Sequence, residues 1–299
     1  MDSKSAKKIE NIKAQDFGIE IEVEGISREM TAKAIAGYFG KYAKYMGDSI
    51  GYSAWGFKDD EGRLWKCVSD SSLANGGCEI VSPICYYKDI KIIEDIIEIL
   101  DNLGAKVSYR TGIHIHIGAK KMTANQIRNL VNSFSSHEDM IFRALEVDYH
   151  RQCEYCQKTD SEFLKKLNEE KPENLVKLFD LWYKILSPYD SREQHYNPSR
   201  YHAVNLHATY TKGTVEFRMF NSILEKEKVA SYIIFCMALI AQAIDVKRVS
   251  SKKVNSCNEK FSMRSWLRQL GLNGEEFRIC RHTFLEKLAG DLANKEFTW

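Results

Sequence analysis

Four short stretches place acids, imidazoles, an amide and a guanidinium at every second position. Phe17-Gly-Ile-Glu-Ile-Glu-Val-Glu24 carries Glu20, Glu22 and Glu24, and Gly112-Ile-His-Ile-His-Ile-Gly118 carries His114 and His116. Ala203-Val-Asn-Leu-His-Ala208 carries Asn205 and His207, and Thr214-Val-Glu-Phe-Arg-Met-Phe220 carries Glu216 and Arg218. Side chains two apart on a strand lie about 6.5–7 Å from each other on the same face. Carboxylates that close, on a partly enclosed surface, repel unless a cation joins them or water screens them. Oxygen donors with an imidazole suit Mg²⁺ or Mn²⁺ better than a thiolate-preferring metal. One such strand alone is weak evidence, because half-exposed strands put charges on the wet face anyway. The case rests on several strands showing the same pattern.

The intervening positions are Ile, Val, Leu and Phe, so strict alternation predicts half-buried strands. Placed in one sheet, their apolar faces would pack on helices and the polar faces would gather on the other side. The periodicity predicts helices over Thr31–Tyr45, Tyr87–Leu103 with Gly104 as C-cap, Thr123 to about Asp148, two within Ser161–Leu186, and Glu225–Val246. Ile50–Asp70 reads as a hairpin turning at Asp59-Asp60-Glu61-Gly62, with Trp55, Phe57 and Trp65 packing on it. Asp70–Glu79 reads as a loop into a strand over Glu79–Pro83, and a second hairpin is expected around Thr211-Lys-Gly213. Ser187–His202 is a long polar loop of the kind that forms lids or binding segments, and the rest, to Trp299, reads as helical.

The 299 residues carry 43 basic and 41 acidic side chains, a net charge of +2, which gives no strongly basic face for nucleic acid. A hydrophobic share of 44% with only 4 prolines excludes disorder and collagen-like repeats. No apolar run follows the lysines of Met1–Glu10, which argues against a secretory signal, and Val229–Ile244 falls short of a membrane span. With 8 scattered cysteines and no secretory context, reduced thiols and a cytoplasmic location are expected. Cys153 and Cys156, three and six residues after His150, make half a zinc motif at most. The basic cluster around Lys252-Lys253 reads as a solvated helix end, and the helices within Ser265–Leu288 as packing elements rather than a DNA reader. No linker separates two domains, so residues 1–299 are expected to form one unit with a core over 17–224 and a helical extension over 225–299.

The motifs occur in a telling order: Gly18-Ile-Glu-Ile-Glu22, Asp70-x-Ser-Leu followed by Glu79-Ile-Val-Ser-Pro83, Thr111-Gly-Ile-His-Ile-His116, Arg200-Tyr-x-x-Val-Asn205 and Thr214-Val-Glu-Phe-Arg218. Together they resemble the amidoligase family of the carboxylate–amine ligase superfamily, which includes glutamine synthetase and glutamate–cysteine ligase. The resemblance spans about Phe17 to Leu224. It implies an α+β fold like the glutamine synthetase catalytic domain, with an antiparallel sheet as the floor of the site and helices on the other face. It implies an ATP-dependent ligase that forms an amide through an acyl phosphate, with Mg²⁺ or Mn²⁺. Glu20, His114 and Glu216 would hold the ion on the ATP phosphates, and Glu22 and Glu79 the ion nearer the carboxylate. His116, Asn205 and Arg218 would lie on the nucleotide side, and Arg200 and Arg218 would neutralise the phosphoryl group in transfer. Phosphoryl transfer asks for this set, since positioning and charge neutralisation dominate it and an arginine fork donates two hydrogen bonds at once.

The better-known relatives carry two glutamates in the second metal element, where this chain has Asp70 and Glu79. The resemblance gives Glu79 a role and leaves Asp70 and Glu24 without one. The substrates it implies are a carboxylate and an amine, from a peptide or a peptidoglycan fragment, with no membrane or nucleic acid. A phosphotransferase of the same fold, which stops at the phosphorylated product, is the first rival. A catalytically silent binding or scaffold protein is the second.

Overall fold

The computed structural model describes residues 3–47, 53–70, 73 and 77–292. Its centre is a nine-stranded sheet: β1 (Asp16–Val23), β2 (Lys44–Gly47), β3 (Ala54–Lys58), β4 (Leu64–Val68), β5 (Cys78–Val81), β6 (Cys85–Tyr86), β7 (Gly112–Gly118), β8 (Val204–Asn205) and β9 (Thr214–Asn221). The order is β2-β3-β4-β5-β1-β7-β9-β8, with β6 also on β1, and every pair is antiparallel. The fold is therefore α+β with an open sheet, as expected. Three of the chemistry-bearing strands, β1, β7 and β9, are consecutive neighbours. Register sets Glu20 opposite His114 and His116 opposite Glu216.

The helices are α1 (Ser3–Lys13), α2 (Arg28–Tyr38), α3 (Ile90–Asn102), α4 (Ala124–Ala144), α5 (Tyr149–Glu154), α6 (Ser161–Glu170), α7 (Leu175–Leu186), α8 (His207–Thr211), α9 (Lys226–Asp245), α10 (Glu259–Gln269) and α11 (Arg278–Thr283). Alternation makes one sheet face greasy: Ile19, Ile21, Val23, Ile113, Ile115, Ile117, Val215 and Phe217 are all buried. Against β1 and β7 lies α9, itself packed by α1, α3, α4 and α11. This helix is apolar and long enough to cross a membrane by length and composition. Its residues from Val229 to Ala243 are mostly buried inside the protein, which makes it the core helix that its sequence predicts.

Several boundaries differ from expectation. The helix predicted over Thr31–Tyr45 starts earlier, because Ser27 caps it by accepting from the Met30 N–H at 3.2 Å. It ends at Tyr38, where Gly40 takes a φ of +64°, and Lys44–Gly47 instead pairs with β3. The helix capped by Thr123 stops at Ala144, short of Asp148, and α5 follows as a separate turn. The hairpin turn at Asp59–Gly62 is as expected: Asp59 Oδ1 accepts from the Glu61 and Arg63 N–H groups. Trp65 and Phe57 pack on Phe39 beneath it. The predicted Asp70–Glu79 loop and the stretch to Trp299 lie partly outside the described residues.

Candidate active site

The polar face of the sheet is buried as well. Glu22, His114, His116, Asn205, Glu216 and Arg218 are each at most 7% exposed. The register that buries the isoleucines forces their neighbours to converge on the opposite face. His114 Nδ1 lies 3.3 Å from Glu20 Oε2 and 3.8 Å from Glu216 Oε1, and its Nε2 lies 4.0 Å from Glu22 Oε1. His116 Nε2 lies 3.4 Å from Glu20 Oε1 and 3.7 Å from Glu216 Oε1. Among the described residues three overlapping ligand sets result: Glu20, His116 and Glu216; Glu20, Glu79 and His114; and Glu22, Asp70 and Glu79. Within each set, one donor atom from every member lies within 4.8 Å of the others.

These residues suit divalent metals by donor chemistry and by one unmet need. The His116 ring is fixed by a 3.0 Å contact between Nδ1 and Thr214 Oγ1. Its Nε2 is buried with no hydrogen-bond partner, although it faces two carboxylates. Carboxylate oxygens with an imidazole nitrogen are what Mg²⁺ or Mn²⁺ takes. Electrostatics agree. Burial, then the charges of Glu20, Glu22 and Asp70, push the Glu79 carboxyl well above its ordinary range. Burial also favours neutral Glu216, but the Arg218 guanidinium and the two imidazoles outweigh it and hold the carboxyl well below that range. Glu20 is likewise held low, its burial outweighed by His116, His114 and Lys212. The floor thus mixes firmly ionised acids with one whose charge is costly until a cation arrives.

Some residues sit elsewhere than strand alternation predicts. The pairs Ile113↔Phe220 and Ile115↔Phe217 enclose one more residue on β9 than on β7, a β-bulge at Arg218-Met219. Arg218 Nη1 donates to Glu216 Oε1 at 2.5 Å and its Nε donates to the Tyr155 carbonyl at 3.2 Å. Asn205 donates from Nδ2 to Glu216 Oε2 at 2.5 Å and accepts the His207 and Ala208 N–H groups at the start of α8. His207 is therefore on a helix and not in a hairpin strand, with Nδ1 2.6 Å from the Tyr183 hydroxyl. Gly112 donates its N–H to Glu22 Oε2 at 2.6 Å. Arg151 is buried against Gly112 beneath the site, with Nη2 on the Arg218 carbonyl, and it lines neither cavity. Glu24 leaves the strand to bridge Lys106 and joins none of the ligand sets. Cys156 is buried with its Sγ on the Arg151 carbonyl, Cys153 is exposed, and neither belongs to a ligand set among the described residues.

Two cavities flank this floor. A large one, about 740 Å³, opens at the Gly18–His116 end and reaches Glu20, between Val81–Ile84 on one side and Lys120–Met122 on the other. Its volume is that of a small-molecule or cofactor site. A smaller one, about 160 Å³, is bounded by Arg200, His195, His207, Asn205 and Glu216. The cavity walls at Lys120–Met122, His195 and Lys212 escape sequence reasoning, because none sits in an alternating strand. Two signals were available: the long polar loop Ser187–His202, which holds His195, and the position of Lys212 in the tight turn just before Glu216-x-Arg218.

The family model described as "Putative amidoligase enzyme" matches residues 13–240, from the end of α1 to α9. The chain belongs to the amidoligase family. No curated protein matches the chain. Among solved structures, it is similar to a bifunctional glutathione synthetase from Pasteurella multocida, with 13% sequence identity and a TM-score of 0.41. That likeness covers 95% of this amidoligase-family chain and 48% of the other, so the chain spans about half the length of that enzyme.

Proposed function

We propose that this member of the family is an ATP-dependent carboxylate–amine ligase working through an acyl phosphate. The observation that carries this is the convergence of Glu20, Glu22, Glu79, His114, His116 and Glu216 into overlapping ligand sets beside a nucleotide-sized cavity. A substrate carboxylate attacks the γ-phosphorus of ATP and ADP leaves. The amine then attacks the acyl carbon and phosphate departs, with net release of ADP, phosphate and a proton. Glu20 and Glu216 would hold one divalent ion with His116, in the place that the resemblance gave to His114, and Glu22 and Glu79 another with Asp70, which the resemblance left without a role; His114 lies between them. Bound there, Mg²⁺ or Mn²⁺ would neutralise phosphate charge during transfer.

The remaining residues keep that floor rigid. Arg218 and Asn205 clamp both oxygens of Glu216, so that carboxylate cannot swing, and the Gly112 N–H holds one oxygen of Glu22. This assigns Arg218 and Asn205 to positioning, while Arg200, on the smaller cavity, remains the arginine for the phosphoryl group. The apolar walls of the large cavity suit the nucleoside. Residues 1–299 act as one cytoplasmic catalytic unit in this reading, and the carboxylate or amine comes from a peptide or peptidoglycan fragment.

The test is calorimetric titration with Mg–ATP, followed by product mass with candidate carboxylates and amines. ADP and phosphate release only when both are supplied, with loss of one water in the product, is the expected result. An added phosphate would indicate a phosphotransferase, and no Mg–ATP binding up to millimolar concentration would overturn the reading. Glu20→Ala, which breaks two ligand sets at once, is expected to lower turnover at least about 10³-fold with the circular dichroism spectrum unchanged.

A further inference from the structure

Arg218 is committed to Glu216 and the Tyr155 carbonyl, and it borders neither cavity. The cation between the cavities is Lys212. Among the described residues it lines both of them. Its Nζ stands 3.6 Å from Glu20 Oε1, the carboxylate common to two ligand sets. Its backbone is pinned on both sides: the Lys212 N–H donates to the Ala208 carbonyl at 2.8 Å, and the Gly213 carbonyl accepts from Ala119 at 2.9 Å. Gly213 is required at this turn. Its φ is +74°, and a Cβ there would come within 2.7 Å of the Lys120 side chain. The lysine side chain itself is about half exposed and has room to move.

We infer that Lys212 contacts the terminal phosphoryl group of the nucleotide alongside Arg200, from the side of the large cavity, an inference that rests on the ligase reading above. The argument is one of exchange. Glu20 would hold a divalent ion with the carboxylate that Lys212 now faces, and the ammonium would then be repelled from that carboxylate. The nearest new partner is an anionic oxygen lying between the two cavities, where a terminal phosphate must sit if the nucleoside fills the large one. Lys212 then reads the third phosphate, whereas Lys120, on the large cavity alone, meets the part shared by di- and triphosphates.

The experiment compares Mg–ADP with the Mg complex of a β,γ-imido ATP analogue, by calorimetry on the full chain. Wild type is expected to prefer the triphosphate. Lys212→Met should lose about tenfold in triphosphate affinity, the worth of one charge-assisted hydrogen bond, and change Mg–ADP affinity less than about twofold. Lys212→Arg should keep the preference, and Lys120→Met should weaken both nucleotides alike. An unchanged preference in Lys212→Met, an equal loss for both nucleotides, or the same selective loss in Lys120→Met overturns the inference alone. Absence of nucleotide binding in wild type overturns the ligase reading and the inference together.

Discussion

The residue that best reports an incomplete electrostatic balance is Glu79. Its burial, and then the charges of Glu20, Glu22 and Asp70, push it toward its neutral form. Replacing it with glutamine removes a repelled charge and keeps the shape. In chelator, Glu79→Gln is expected to raise the melting temperature by about 2–4 °C, the equivalent of about 1 kcal/mol. Added Mg²⁺ should then stabilise the variant less than wild type, because two of the three ligand sets lose a donor. Differential scanning calorimetry with and without Mg²⁺ decides this. A larger Mg²⁺ shift in the variant would remove Glu79 from the ligand set. Glu216 shows the opposite design: its charge is fully supported within the protein by Arg218 and Asn205, so it stands ready without an ion.

At the scale of elements, β7 is the strand on which the site depends, because it pairs with both β1 and β9. Its first residue has a packing duty. A Cβ on Gly112 would come within 2.2 Å of the Arg151 guanidinium, which is itself 1% exposed and has nowhere to go. Gly112→Ala is expected to cost about 1–3 kcal/mol, by overpacking a filled region. It should also weaken Mg²⁺ binding, because the Gly112 N–H holds Glu22. Urea unfolding measures the first effect, and an unchanged midpoint would show that Arg151 yields easily. The bulge in β9 is the second device of this kind. It lets Phe217, Met219 and Phe220 all enter the core while Arg218 turns back onto Glu216.

For the molecule as a whole, acid stability depends on how the C-terminal helices dock. His137 of α4 stacks on Trp266 of α10, with ring centroids 3.9 Å apart and planes within 5°. Burial, opposed by a hydrogen bond to the Ser133 carbonyl, lowers its pKa from 6.5 to about 4. The unfolded chain therefore binds a proton at His137 between these values when the folded chain does not. Stability from this group is present above about pH 6.5 and is lost as pH falls toward 4, by about 2 kcal/mol between pH 7 and pH 5. His137→Gln should show a flatter decline over that window in urea titrations at each pH. A decline equal to that of wild type would place the sensitive group elsewhere.

Much of this was legible in the sequence, because period-2 alternation is a local property. It marks β1, β7 and β9, puts isoleucines on one face and Glu20, Glu22, His114, His116 and Glu216 on the other, and so names the candidate ligands. Capping chemistry is just as local, which is why Thr123 and Gly104 mark helix ends. Tertiary structure decided what depends on register, on bulges and on distant loops. Which imidazole faces which carboxylate follows from interstrand pairing, and the entry of Phe220 onto the isoleucine face follows from one inserted residue. The cavities arise where the ends of β1 and β7 meet the turns at Lys120 and Lys212, segments with no periodicity of their own. Alternation tells which side chains share a face, but only the packed chain sets the distances between them.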